Sequence, residues 1–166
     1  MHLQIVSILL TACTVASAND WPQFRGPSAN GHAKAEALPT EWSDTKNEDV
    51  SSDVSTPLFY QNRFYVLNSD RKSMSCVHPK TGELIWEHRV EGGAKIESSP
   101  TAGDGRIYFQ DMRAHVTILA AEDEAKLIFS GSMADGEEKD VRSSIALASG
   151  CAFVRTTRML YCVGAK

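Results

Sequence analysis

The stretch KTGELIW, Lys80 to Trp86, decides how the rest of the chain is read. Thr81 and Gly82 form a turn signal, because glycine takes a positive φ at no steric cost. Leu84 and Trp86 then alternate with polar neighbours, the period-two pattern of a strand with one face in a core. At an offset of 43 residues, Leu84 and Trp86 meet Leu127 and Phe129. At the same offset Ser55, Thr56 and Pro57 meet Ser98, Ser99 and Pro100, and Phe64 to Val66 meet Ile107 to Phe109. A third copy begins at Ser143, Ser144 and Ile145 and carries Ala152 to Val154, displaced by 45. Cys76 and Val77 match Cys162 and Val163 at 86, twice 43. The stretch is one copy of a repeat.

Each copy has the same grammar. A strand resembling SSPTA leads into a turn that places Asn62, Gly105 and Gly150, residue types that tolerate the positive φ of a two-residue hairpin. An aromatic and β-branched strand follows, as in RIYFQD, and then a third strand, Met74 to Val77 or Thr117 to Ala121. The turn with Thr81 and Gly82 delivers a fourth, Glu83 to Glu87. Four short antiparallel strands in such a period match a propeller blade of about 40–45 residues. A sandwich would space its turns regularly without repeating these particular residues, and helical repeats would need a 3.6-residue period. The expected fold is all-β, a partial β-propeller of three four-stranded antiparallel blades with the last incomplete, over residues 51–93, 94–138 and 139–166.

Composition sets outer limits. The 166 residues, 42% apolar and 23% charged, are enough for one small domain. A net charge of −4, with no basic run interleaved with aromatics, lacks the footprint of a nucleic-acid surface. Residues 1–18 read as a secretory signal: Leu3 to Ala16 carries no charge, and Ala16, Ser17 and Ala18 offer small residues for cleavage before Asn19. The rival is a lipobox over Leu10 to Cys13, which would anchor the protein through an acylated Cys13. No other apolar run is long enough to span a bilayer. The expected location is periplasmic or extracellular.

In VHPKTGELIW, Val77 to Trp86, the repeat resembles that of pyrroloquinoline-quinone (PQQ) type β-propellers, written A-x-D-x-x-T-G-x-x-x-W. Thr81, Gly82 and Trp86 match; Val77 and Pro79 depart from the pattern. The resemblance implies that Trp86 docks over the turn of a neighbouring blade, with Phe129 in its place in the second copy and Ala125 where Gly82 would fall. DWPQFRGP, Asp20 to Pro27, is similar to the N-terminal motif of exported PQQ-like repeat proteins of planctomycete type, and the ending Arg158 to Lys166 looks like their closing strand. Residues 19–50 would form an N-terminal segment built on that motif. Family members carry more blades than three copies supply, so the chain reads as a shortened member.

The quinone name raises the question of chemistry. Members that are dehydrogenases use a vicinal cysteine pair, a calcium held by acidic and Asn ligands, and a catalytic Asp within a complete ring. No adjacent cysteines occur here, and neither PQQ nor calcium binding is expected. His32, His78, His88 and His115 show no ligand spacing, and Gly103 to Gly105 is explained as a hairpin rather than a phosphate loop. No G-x-S-x-G elbow supports a serine nucleophile. Among Cys76, Cys151 and Cys162, the shared repeat position of Cys76 and Cys162 points to one buried core slot. Trp21, Phe24 and Arg25 are residue types that anchor a protein partner, although the same segment can pack on the propeller and cover a strand edge. The leading expectation is a non-catalytic binding or scaffolding module. The alternatives are a fragment of a PQQ-dependent dehydrogenase-like quinoprotein, or a gene remnant without its own function. The polar segment Trp42 to Ser55 could add an edge strand at best, so open blade edges should drive self-association.

Overall fold

The computed structural model describes Gly26 and residues 52–90, 93–134 and 137–164. The leader, Cys13, His32, the Trp21, Phe24 and Arg25 motif and residues 42–51 of the Trp42 to Ser55 segment lie outside the described residues.

Among the described residues, eleven strands form three antiparallel sheets. The first blade has β1 Leu58–Tyr60, β2 Arg63–Asn68, β3 Ser73–Val77 and β4 Leu84–Arg89. The second has β5 Thr101–Gly103, β6 Arg106–Gln110, β7 His115–Ala120 and β8 Leu127–Ser132. The third has β9 Ala146–Ala148, β10 Cys151–Arg155 and β11 Leu160–Gly164. Each blade runs in chain order as a meander, and the innermost strands lie side by side, β1 against β5 and β5 against β9. This is a partial propeller with a three-stranded last blade, as the repeat implies.

The first hairpin of every blade turns on two residues at positive φ: Gln61 and Asn62 at 48° and 58°, Asp104 and Gly105 at 51° and 68°, Ser149 and Gly150 at 51° and 73°. Both positions of a type I′ turn need this conformation, and its twist matches that of the flanking strands. The second hairpin is capped at one repeated slot. Asn68 Oδ1 accepts from Arg71 N at 2.7 Å, Asp111 Oδ1 from Arg113 N and His115 N at 2.8 and 2.9 Å, and Thr156 Oγ1 from Met159 N at 3.0 Å. Three residue types do one job, because each offers a short side-chain oxygen to nearby amides. Even the irregularities repeat: the third-to-fourth strand ladder shifts register at Cys76/Val77 and again at Ile118/Leu119.

Neighbouring blades are joined through equivalent residues. Ser55 Oγ donates to Ser98 O at 2.8 Å, Thr56 N to Ser99 Oγ at 3.0 Å and Ser99 N to Ser144 Oγ at 3.0 Å. The residues that revealed the repeat are therefore the ones that bond copy to copy. Tyr60 Oη accepts from Gly105 N at 3.0 Å, tying the first blade to the first turn of the second.

The first seam is closed by packing as well. Leu58, Tyr65, Leu67, Met74, Cys76 and Trp86 pack with Ile107, Phe109, Leu119 and Ala121 of the second blade in one core. Trp86 is 9% exposed, lies 5.9 Å from the Tyr65 ring, and its Nε1 donates to Glu122 O at 3.0 Å in the β7–β8 turn. Arg63 donates from Nε to Asp123 Oδ1 at 2.9 Å in the same turn. That bond holds the Arg63 guanidinium above its ordinary pKa. Trp86→Ala should cost about 3–5 kcal/mol by emptying this site. Trp86→Phe keeps the ring's bulk and loses the hydrogen bond, at about 1 kcal/mol. Urea unfolding of both variants measures the two components; an unchanged stability for Trp86→Phe would show that the indole N–H does nothing.

Candidate functional site: the groove between the second and third blades

The second seam is built differently. Tyr108, Ile118 and Met133 of the second blade face Leu147, Ala152 and Tyr161 of the third, around a small buried core of Val116, Ile145 and Val154. Between them runs a groove of about 740 Å³ whose lining also includes Phe129 and Val163. These last two are 44% and 49% exposed. Gly103 lets the third blade approach: a Cβ there would stand 2.9 Å from Leu147 Cδ1. At the mouth, Arg106 donates to Asp104, whose carboxylate raises the guanidinium pKa.

Hydrogen bonds tie one end of this seam. Gln110, fully buried, stands where the first blade has Leu67. Its Nε2 donates to Ser143 O at 2.8 Å and Arg155 O at 3.2 Å, while its Oε1 accepts no hydrogen bond among the described residues. Glu97 adds a charged bridge, with Arg142 Nε at 3.2 Å and Lys95 Nζ at 3.9 Å. Sequence reasoning missed Gln110. A polar residue replacing Leu67 at the repeat offset was the available signal.

Of the candidate repeat-motif residues, Thr81 and Gly82 sit in the β3–β4 turn, Gly82 at φ 75° with its N–H bonded to His78 O at 2.9 Å. Thr81 Oγ1 bonds His78 Nδ1 at 3.1 Å and donates to Glu83 Oε2 at 3.0 Å. Trp86 docks on the turn that carries Ala125 rather than on one carrying glycine. Phe129, in the matching place on β8, is exposed at the groove. His115 Nε2 lies 2.7 Å from Ser130 Oγ, and His88 is half-buried on β4.

The cysteine expectation needs correction. Cys76 is buried beside Tyr65, and burial pushes its thiol up to about 11 and the Tyr65 phenol up as well. Cys162 occupies the equivalent register, opposite Phe153 as Cys76 is opposite Tyr65, yet it is exposed, because among the described residues no strand flanks the outer edge of β11 and no blade covers its face.

The family profile described as "Outer membrane protein assembly factor BamB" matches residues 33–160. The chain belongs to this family of PQQ-like β-propeller repeat proteins. No curated protein matches the chain. Among solved structures, a "Europium-containing methanol dehydrogenase" is similar over 84% of the chain at 13% identity and a TM-score of 0.65. BamB from Moraxella catarrhalis is similar over 65% at 12% identity and a TM-score of 0.52. The chain spans 27% and 35% of those two structures, and at such identities the likeness shows the fold. The same fold thus occurs in a dehydrogenase and in an assembly factor. Among the described residues no three His, Cys, Asp or Glu side chains form a cluster that could hold a metal ion, and Cys151 and Cys162 lie on neighbouring strands rather than adjacent in sequence. No described helix is long and apolar enough to cross a membrane.

Burial ranks the thiols. In the native protein at pH 8 a maleimide should label Cys162 within minutes and Cys151 more slowly, while Cys76 stays unlabelled until the pH nears its folded value of about 11 or the chain unfolds. Mass mapping after timed labelling checks the order; rapid labelling of Cys76 would contradict the closed first seam.

Proposed function

We propose that this PQQ-like repeat protein is an exported, non-catalytic module that binds or scaffolds a protein partner, with the open groove as its contact surface. The observation that carries this reading is the apolar groove beside β11. β3 and β7 each pair on both sides, whereas β11 pairs only with β10 among the described residues. An extended partner segment could add a strand to that edge, its backbone bonding β11 and its apolar side chains entering the groove. Trp21, Phe24 and Arg25 would supply a second contact from the N-terminal segment, Thr81, Gly82 and Trp86 the structural repeat contacts, and Phe129 a wall of the groove. Residues 1–18 would direct export, with acylation at Cys13 the other route to the same compartment. In this reading neither PQQ nor calcium is needed.

A synthetic peptide of residues 126–132, the fourth strand of the second blade, is the probe. It should bind saturably, and Phe129→Glu or Val163→Glu should abolish binding with little change in stability, since both side chains are exposed. No binding to the native chain would overturn the proposal. The likeness to a methanol dehydrogenase favours a second reading, a quinoprotein fragment. Saturable binding of quinone with calcium and dye-linked alcohol oxidation would establish it instead.

The same open edge should make the protein associate with itself. Light scattering during gel filtration should show a mass that rises with concentration and falls when the peptide is added. A monomer at every concentration would remove self-association from the reading.

A further inference from the structure

Cys151 and Cys162 share the outer face of the third blade, on neighbouring strands. Cys151 is opposite Gly164 and Cys162 opposite Phe153, so the two cysteines are diagonal neighbours on one face of the β10–β11 ladder. Diagonal neighbours normally stand further apart than opposed ones, but the Cys151 side chain leans across the ladder: at Gly164 a Cβ would come within 2.9 Å of Cys151 Sγ. Glycine there leaves the Cys151 side chain room to lie over β11, the strand that carries Cys162. The neighbouring Cys151 thiol holds the Cys162 pKa above its ordinary value.

We infer that Cys151 and Cys162 form a dithiol that closes into a disulfide across β10 and β11, a covalent staple of the blade that lacks an outer strand. Cys76 takes no part, because it is sealed in the core of the first seam. Cys162 is exposed and Cys151 half-exposed, so an external low-molecular-weight disulfide can reach them. The exposed Cys162 loses its proton and attacks that disulfide, forming a mixed disulfide and releasing one small thiolate. Cys151 then loses its proton and attacks the Cys162 sulfur, forming the intramolecular bond and releasing the second small thiolate. The two thiolates take up the two protons, so the protein is oxidised by two electrons and one small disulfide becomes two thiols. The raised pKa of Cys162 makes the first step slow at neutral pH and faster as the pH rises.

The test uses the full chain with Cys13→Ser, reduced and then incubated with oxidised glutathione. The expected product is a monomer lighter than the reduced protein by two hydrogens. Peptide mapping should join Cys151 to Cys162, and one titratable thiol, Cys76, should appear on unfolding. The oxidised form should melt at a higher temperature than the reduced form, and Cys151→Ser should remove that difference while trapping glutathione on Cys162. A lasting glutathione adduct on Cys162 of the parent chain, a cross-link involving Cys76, or disulfides only between chains would each overturn the inference. If Cys151→Ser does not fold, the mass and peptide map of the parent chain decide.

Discussion

The indole N–H of Trp86 reaches out of the first blade to the Glu122 carbonyl, and the Arg63 guanidinium reaches Asp123 one residue further on. Both contacts land on the β7–β8 turn of the second blade, so one short turn receives the outer side of the first seam. Beneath it the Tyr65 and Trp86 rings, Cys76 and Met74 pack against the face of β6 and β7. A four-stranded meander buries little by itself, and stacking such sheets creates the continuous core that repeat proteins need. The Trp86 contact fixes the outer part of the seam, which the serine bonds at the inner strands do not reach. The serine ladder at the inner strands sets blade order, while the indole sets how closely the sheets shut.

The parts of this arrangement that were legible in the sequence are those governed by local chemistry. Asn62, Gly105 and Gly150 sit at positive φ because a type I′ turn demands it, and the repeat offset aligned them. The Ser55, Ser98 and Ser143 positions were visible for the same reason. Other features stayed hidden because they depend on what packs against a residue rather than on the residue. Asn68, Asp111 and Thr156 cap the same hairpin, but their chemical variety disguises a shared slot. Gln110 reads as an ordinary polar residue until the neighbouring blade supplies the Ser143 and Arg155 carbonyls. Cys162 was misjudged on the same account: its register equals that of Cys76, and its burial does not.

One slot followed through the three blades shows how position in the arc controls environment. Cys76, Ile118 and Cys162 lie opposite Tyr65, Tyr108 and Phe153 respectively. Cys76 is buried, Ile118 half-buried and Cys162 exposed. The residue types are all apolar or weakly polar, so the gradient does not come from the side chains. It comes from the next blade, which closes on the first, stands off from the second, and is absent among the described residues beyond the third. The thiol chemistry changes with it, from a buried group whose proton is held to about pH 11 to one open to solvent.

The difference between the two seams then follows from one replacement. Where Leu67 contributes to the dry core of the first seam, Gln110 points across the second and bonds to backbone carbonyls of the third blade. Apolar packing is non-directional and draws two sheets together until their side chains interlock. A hydrogen bond fixes a distance at one point and leaves the rest of the interface to other contacts. At the far end of the second seam those contacts are weak, since Phe129 finds no turn among the described residues to dock on as Trp86 does. The blades are thus pinned at the Gln110 end and splayed at the Phe129 end. The apolar surface left between them lines the groove between the second and third blades.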